Sequence, residues 1–202
     1  MPYHPATNAD GAGLTVAVDH AHLYTDTVYI KDLRHSFSKQ HGSALRWAAE
    51  VRAFERLSKR HSHPSIIRYL GCRVTHGRIT GIVLELAERC LCDYSVEAPA
   101  FQGVDVNLVM DRLEAAVLFL HSIGLAHNDI KPANVMLHAD NQPLLIDFES
   151  CAPPGEKIWY AGNEGWTDGQ DRVSRFEHDL YALHKMRERI HDEEAVREFF
   201  QS

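Results

Sequence analysis

Asn134 and Asp147 bracket a short hairpin-like stretch. Val135–Leu137 and Leu144–Ile146 are apolar runs of strand length, joined by His138-Ala-Asp-Asn-Gln-Pro143, a turn by composition. One residue directly precedes the first run and the other directly follows the second, so their side chains meet at the open end of the hairpin. An amide oxygen beside a carboxylate is a hard-oxygen pair that suits Mg²⁺, which keeps part of its water shell and takes the rest from phosphates. Asp129 stands in the preceding loop, five residues before Asn134, where its carboxylate can orient a hydroxyl or accept its proton. Lys131, two residues later, can neutralise charge on a moving phosphoryl group. A base, a cation and a metal-holding pair are what phosphoryl transfer asks of a protein, because its catalysis is mostly positioning and electrostatics.

The elements that must position these groups are legible in outline. Residues 1–13 are polar and Gly/Pro-rich, a loose arm. Leu14–Val18 and Thr27–Leu33 have strand character, and Ser43 opens a helix to about Lys59 whose Trp47, Val51, Phe54 and Leu57 form an apolar stripe with Glu50 at its edge. Two more strand-like segments follow, Ile66–Arg73 and Arg78–Leu86. Beyond Glu88 the character turns helical. Asp105 caps a long helix with Val106, Val109, Met110, Leu113, Val117 and Leu120 on one face, and Gly124 sits where a C-terminal glycine belongs. The stretch 152–169 has loop composition, and helix resumes from Phe176. A strand-rich lobe before a helix-rich lobe, with a seam near 86–90, is the coarse organisation.

His127-Asn128-Asp129 with Asn134 five residues on, and Asp147-Phe148-Glu149 after the hairpin, resemble the catalytic-loop and metal-binding motifs of the protein kinase superfamily. Lys131 after Asp129 resembles the serine/threonine version of that loop. The resemblance covers roughly residues 27–185. It is similar in particular to small fungal-type kinase-like proteins with a His-Asn-Asp-Ile-Lys-Pro-Ala-Asn loop and a Gly-x-x-Gly-Trp segment, here Gly162 to Trp166. It implies an α+β, two-lobed fold, with a small antiparallel-sheet N-lobe (1–86) and an abbreviated helical C-lobe (87–202). It implies that Asp129 and Lys131 are catalytic, and that Asn134 and Asp147 hold the metal. Lys31, in Val28-Tyr-Ile-Lys31, would take the α/β-phosphates of ATP, and Glu50, nineteen residues later, would position it. Leu84 would be the gatekeeper, and the backbone of Glu85, Leu86 and Ala87 would meet the adenine. Phe54, Tyr69, His127 and Phe148 match the family's inter-lobe spine or are ordinary core. Asp179 matches the aspartate of the central C-lobe helix that anchors the catalytic loop.

The chain also departs from that pattern. Gly11-Ala-Gly13 is a degenerate phosphate-covering loop, with no third glycine in register. Tyr29 stands where the family keeps a small roof over adenine; the phenol either crowds the base or swings aside. Asn128 replaces the arginine that grips a phosphorylated activation loop, which argues against loop phosphorylation as the switch. Glu149 replaces glycine and either extends the metal shell or repels phosphate. No Ala-Pro-Glu motif lies between Asp147 and Asp179. Leu180, Leu183, Met186 and Ile190, with Val196 and Phe199, read as an exposed apolar surface suited to a homodimer or a partner protein.

Composition narrows the rest. Of the 202 residues, 45% are hydrophobic and 24% charged, enough for a real core. A net charge of −7 argues against a broad nucleic-acid-binding face. The longest apolar run, Ala115–Leu120, is far too short to span a bilayer. The segment Met1–Asn8 shows no signal peptide, and four cysteines make no disulfide framework, so the expected location is intracellular, cytoplasmic or nuclear. Cys90-x-Cys92 reads as ordinary thiols. The expected function is ATP- and Mg²⁺-dependent phosphoryl transfer to a serine or threonine of a protein. A pseudokinase scaffold and a small-molecule kinase of the aminoglycoside or choline type are the alternatives.

Overall fold

The structure is a computed structural model that describes residues 15–16, 28–32, 43–58, 62–94, 102–158, 166 and 172–190. It is an α+β chain whose described residues form two compact units. The first comprises those before His63 together with Ile67–Leu86, and the second comprises His63–Ile66 with those from Ala87 onward.

In the first unit, β1 (Val28–Asp32), β2 (Tyr69–Thr75) and β3 (Arg78–Glu85) form an antiparallel sheet in the order β1-β3-β2. The β2–β3 hairpin turns through His76 and Gly77, both at positive φ (52° and 70°), as a tight two-residue hairpin turn requires. Alternation sorts the side chains of β1. Val28 and Ile30 pack with Val83 on one face, while Tyr29 and Lys31 lie opposite Leu84 and Ile82 on the other. Helix α1 (Ser43–Ser58) buries Trp47, Val51, Phe54 and Leu57, the stripe expected from the spacing. The Phe54 ring stacks on Tyr69 at 5.2 Å. Gly81 is needed because a Cβ there would meet Ile30 Cγ2 at 3.0 Å and the Lys31 carbonyl at 3.2 Å.

Strand β2 begins at Tyr69, three residues later than expected, because the preceding backbone is used elsewhere. Ile66 bridges Leu145, and Leu145 N–H donates to the Ser65 carbonyl within the second unit. The expected strand Leu14–Val18 is described only at Thr15 and Val16. Val16 makes a single parallel bridge to Cys72, and Cys72 N–H donates to the Thr15 carbonyl at 2.7 Å. Glu55 secures this segment, accepting from Thr15 N (2.8 Å), Thr15 Oγ1 (3.0 Å) and the Tyr69 hydroxyl (2.8 Å).

The second unit has a small antiparallel sheet, β4 (Arg89–Cys90), β5 (Val135–Leu137) and β6 (Pro143–Leu145), in chain order. Helix α2 (Val106–Ser122) starts at Asp105, whose Oδ1 accepts from Asn107 N and Leu108 N. It ends at Gly124, with φ 74°. Its face of Val109, Met110, Leu113, Val117 and Leu120 is buried, and α3 (Phe176–Arg189) packs against it.

Two expectations are corrected here. The apolar face of α3 is not an exposed docking surface: Leu183, Met186 and Ile190 are buried, and only Leu180 is exposed. Val196 and Phe199 lie outside the described residues. Cys90 and Cys92 are joined as a disulfide, because the chain folds into a 3-10 turn (Leu91–Asp93) in which Cys92 N–H donates back to Cys90 Sγ. No helix among the described residues is long and apolar enough to cross a membrane.

Candidate active site

Within the first unit, Lys31 and Glu50 meet. Register puts Lys31 on the α1 side of β1, and its Nζ lies 2.9 Å from Glu50 Oε1. Glu50 is fully buried and Lys31 is about a fifth exposed, its ammonium 5.9 Å from the Trp47 ring centroid. Glu85 ends β3, and its carboxylate accepts from Arg68 N–H at 2.7 Å. Leu86 is exposed, and Tyr29 keeps about half its surface in solvent. Gly11 and Gly13 lie outside the described residues. The chain just after them runs along β2, whereas β1, with Lys31, forms the opposite edge of the sheet.

Within the second unit, Asp129, Lys131 and Asn134 form one hydrogen-bonded cluster. Pro132 opens a 3-10 turn through Asn134, which folds Asn134 back onto the loop. Asn134 Nδ2 donates to the Asp129 carbonyl and to Asp129 Oδ2, each at 2.8 Å. Lys131 Nζ sits 3.0 and 2.8 Å from the two Asp129 carboxylate oxygens. The amide nitrogen of Asn134 is thus committed to Asp129, so its oxygen is the atom offered to a ligand. Ile146 N–H donates to the Asn134 carbonyl at 2.9 Å, and Val135 pairs with Leu145, so Asn134 and Asp147 do flank the open end of the hairpin. Asp147 has φ 62°, a left-handed conformation that turns the chain sharply after β6. A Glu149 carboxylate oxygen comes within 4.8 Å of one from Asp147. The donor set at this end is amide and carboxylate oxygen, which fits Mg²⁺.

The loop is held from behind. The fully buried Asp179 accepts His127 N–H (2.8 Å) and Asn128 N–H (2.7 Å), with His121 Nε2 at 2.9 Å. The His127 ring accepts from Asp129 N–H through Nδ1 and so carries its proton on Nε2, which donates to the Ile146 carbonyl at 3.0 Å. Its ring meets Phe148 edge-on at 4.9 Å.

Sequence reasoning missed the buried staple built on Asn128. Its Nδ2 reaches the carbonyls of Ala126 (3.1 Å) and Ser150 (3.0 Å) and Ser174 Oγ (2.9 Å). Its Oδ1 accepts from Arg175 N–H (3.1 Å) and His178 Nδ1 (3.2 Å). Ser174 in turn donates to the Ala152 carbonyl. Most of these partners lie more than twenty residues away, so no local pattern announces them.

A model of the protein kinase domain matches residues 11–158, well over half of the chain. Among curated proteins, the sensor for unfolded proteins in the ER ire1 of Schizosaccharomyces pombe is 33% identical over 134 residues, 54% of this chain and 12% of its own length. The probable serine/threonine-protein kinase mkcF of Dictyostelium discoideum is 37% identical over 91 residues, covering 45% and 13%. The human serine/threonine-protein kinase/endoribonuclease IRE2 is 30% identical over 129 residues, covering 57% and 14%. The chain therefore spans only a small fraction of each of these relatives.

Proposed function

The chain belongs to the protein kinase superfamily, serine/threonine type, and on that premise we propose that it moves the γ-phosphoryl group of ATP to a serine or threonine hydroxyl of a protein. The observation that carries this reading is the hydrogen-bonded cluster of Asp129, Lys131 and Asn134. Asp129 orients the acceptor hydroxyl and takes its proton, held in aim by Asn134. Lys131, already beside that carboxylate, stabilises the transferring phosphoryl group. Lys31 receives the α/β-phosphates, its ammonium oriented by Glu50, and the backbone of Glu85, Leu86 and Ala87 meets the adenine. Asn134 and Asp147 would hold Mg²⁺, which when bound neutralises phosphate charge.

A second reading, a nucleotide-binding module without turnover, is favoured by the position of Thr15 and Val16. The residues that follow the glycine pair run along the edge opposite Lys31, which counts against a phosphate-covering loop there.

Two measurements separate these readings. The first is the shift in melting temperature with ATP, with and without Mg²⁺. A ligand at about a hundred times its Kd adds roughly 2.7 kcal/mol, equivalent to about 5–10 °C for a chain of this size. That shift should depend on Mg²⁺ and vanish in Asp147→Ala. The second is transfer of labelled phosphate to a protein acceptor. Asp129→Asn should lower it by roughly 10²–10⁴-fold while leaving the thermal shift intact. A shift without transfer by the wild type to any acceptor, protein or small molecule, selects the second reading. No shift under any condition overturns both.

A further inference from the structure

Cys90 and Cys92 lie beside the turn that carries Lys131 and Asn134, and the phosphotransfer reading leaves them unused. Cys90 Sγ is 3.6 Å from the Pro132 carbonyl oxygen and 3.9 Å from that of Ala133. Strand β4 delivers it there, since Cys90 pairs with Met136 on β5, the strand that follows the catalytic turn. Contact with Pro132 has different meanings in the two oxidation states. A Cys90 thiol has a proton to donate to the Pro132 carbonyl, which already accepts from Val135 N–H. A Cys90–Cys92 disulfide has none. The same sulfur therefore supports the turn when reduced and withdraws that support when oxidised.

The pair is also built for reversible chemistry more than for stapling. A disulfide stabilises a fold by closing a long loop of the unfolded chain, and this one links residues only two apart in sequence. Both cysteines are half-buried and reachable from solvent. Cys92 N–H donates to Cys90 Sγ at 3.2 Å, which holds the two sulfurs in one tight turn. The other two cysteines, Cys72 and Cys151, are buried. Burial pushes the Cys72 thiol up to about 11, so it is protonated and unreactive at neutral pH.

We propose that Cys90 and Cys92 form a redox-active dithiol–disulfide pair that sets the tightness of the Lys131–Asn134 turn, with the reduced form as the tight one. The oxidant is a low-molecular-weight disulfide such as glutathione disulfide. One cysteine thiolate attacks it, forming a mixed disulfide and releasing one thiolate. The second cysteine thiolate then attacks the protein sulfur of that mixed disulfide and expels the other. Two protein thiols become one protein disulfide, and one small disulfide becomes two thiols. The consequence for transfer rate rests on the proposed kinase reading, whereas the consequence for the turn does not.

The test equilibrates the whole chain across glutathione redox ratios and reads two things. Mass spectrometry of the peptide containing residues 90–92 reports the internal disulfide. Hydrogen exchange at the amides of Asn134 and Val135, which bond to Lys131 and Pro132, reports the turn. These amides should exchange roughly two- to tenfold faster in the oxidised chain, the span to which one hydrogen bond's net worth converts. Cys92→Ser, which keeps the Cys90 thiol, should be slow under reductant and fast under glutathione disulfide, because the mixed disulfide left at Cys90 has no proton to donate. Cys90→Ala should be fast even under reductant. If no internal disulfide forms at any ratio, or if it forms and both amides exchange alike in the two states, the proposal is overturned. Should phosphate transfer be absent throughout while exchange still follows the redox state, the kinase reading alone fails.

Discussion

The ion pair of Lys31 and Glu50 joins a buried carboxylate to a lysine side chain that keeps 22% of its surface exposed. Removing one partner from a buried pair leaves a charge without compensation, whereas replacing both by apolar groups is often close to neutral. Lys31→Met should therefore cost about 2–4 kcal/mol, somewhat below the range of a fully buried pair because Lys31 is partly solvated. Adding Glu50→Leu should restore much of that loss, as urea unfolding of the three variants would reveal; a double variant as unstable as the sum of the singles would contradict it. Asn128 poses a different question, since its amide holds together three segments of the second unit. Asn128→Asp keeps the shape and the tolerance for φ 62°, but turns an oxygen toward the carbonyls of Ala126 and Ser150. A loss of about 2–3 kcal/mol is expected from the lost donors and the new repulsion; an unchanged melting temperature would show that those donors do not matter. His63 couples stability to pH. Burial holds its imidazole below the ordinary 6.5, and its Nδ1 accepts from Ser65 N–H at 3.1 Å. As pH falls through 6.5 the unfolded chain gains this proton before the folded chain does, so stability drops with pH and levels off below the folded value. Melting temperatures from about pH 7.5 to pH 5 should thus fall more steeply for wild type than for His63→Asn, and parallel curves would dismiss His63 as a contributor.

Elements whose contacts are local were readable from sequence, and those settled by distant partners were not. The stripe of α1, the cap and C-terminal glycine of α2, and the strand Val135–Leu137 all follow from spacing or from one diagnostic residue. The companion strand is displaced by one residue, to Pro143–Leu145, and Ile146 just beyond it keeps the register with a bond from its N–H to the Asn134 carbonyl. The expected exposure of α3 was wrong for a similar reason. An apolar stripe does not say which earlier helix covers it, and here α2, more than fifty residues upstream, does so, with Arg187 reaching Asp111 and Glu114 at the surface. The edge of the first sheet was equally illegible. Nothing local places Thr15 and Val16 along β2, since their anchor is the Glu55 carboxylate 40 residues away. Glu55→Ala removes the acceptor for two Thr15 groups and for the Tyr69 hydroxyl, and should cost about 1.5–3 kcal/mol. The loss should be accompanied by faster hydrogen exchange at Cys72 N–H, which bonds to the Thr15 carbonyl. Preserved protection at Cys72 would mean that Glu55 does not hold that segment.

At the scale of the whole molecule, the candidate site was legible because the residues that cluster there are close in sequence. Asp129, Lys131 and Asn134 span one turn, and a single hairpin separates that turn from Asp147. Of what supports them, Asp179 was reachable only through the family resemblance and the Asn128 staple was hidden, because both join segments about fifty residues apart. The same division between local and distant contacts bears on how the chain loses its structure. The described part of the first unit has one helix on a three-stranded sheet, and a small unit buries a smaller share of its surface and is correspondingly marginal. The second unit draws its fully buried set from α2, β5 and β6 as well as the catalytic loop, with Met110, Leu113, Leu120, Ile130, Leu137, Leu144 and Phe148 all but inaccessible. Free energies of opening vary across a structure with this kind of difference in burial. Each unit also carries its own reporter, Trp47 in the first (3% exposed) and Trp166 in the second (8%). Variants in which Trp159 is replaced and only one of the two is kept should give different urea midpoints, with Trp47 emission lost at the lower concentration. Saturating Mg²⁺ and ATP should raise the Trp47 midpoint if Lys31 receives the phosphates, and Lys31→Met should abolish that rise. Coincident midpoints without ligand would instead make the chain one cooperative unit, in which the smaller core draws its stability from the larger.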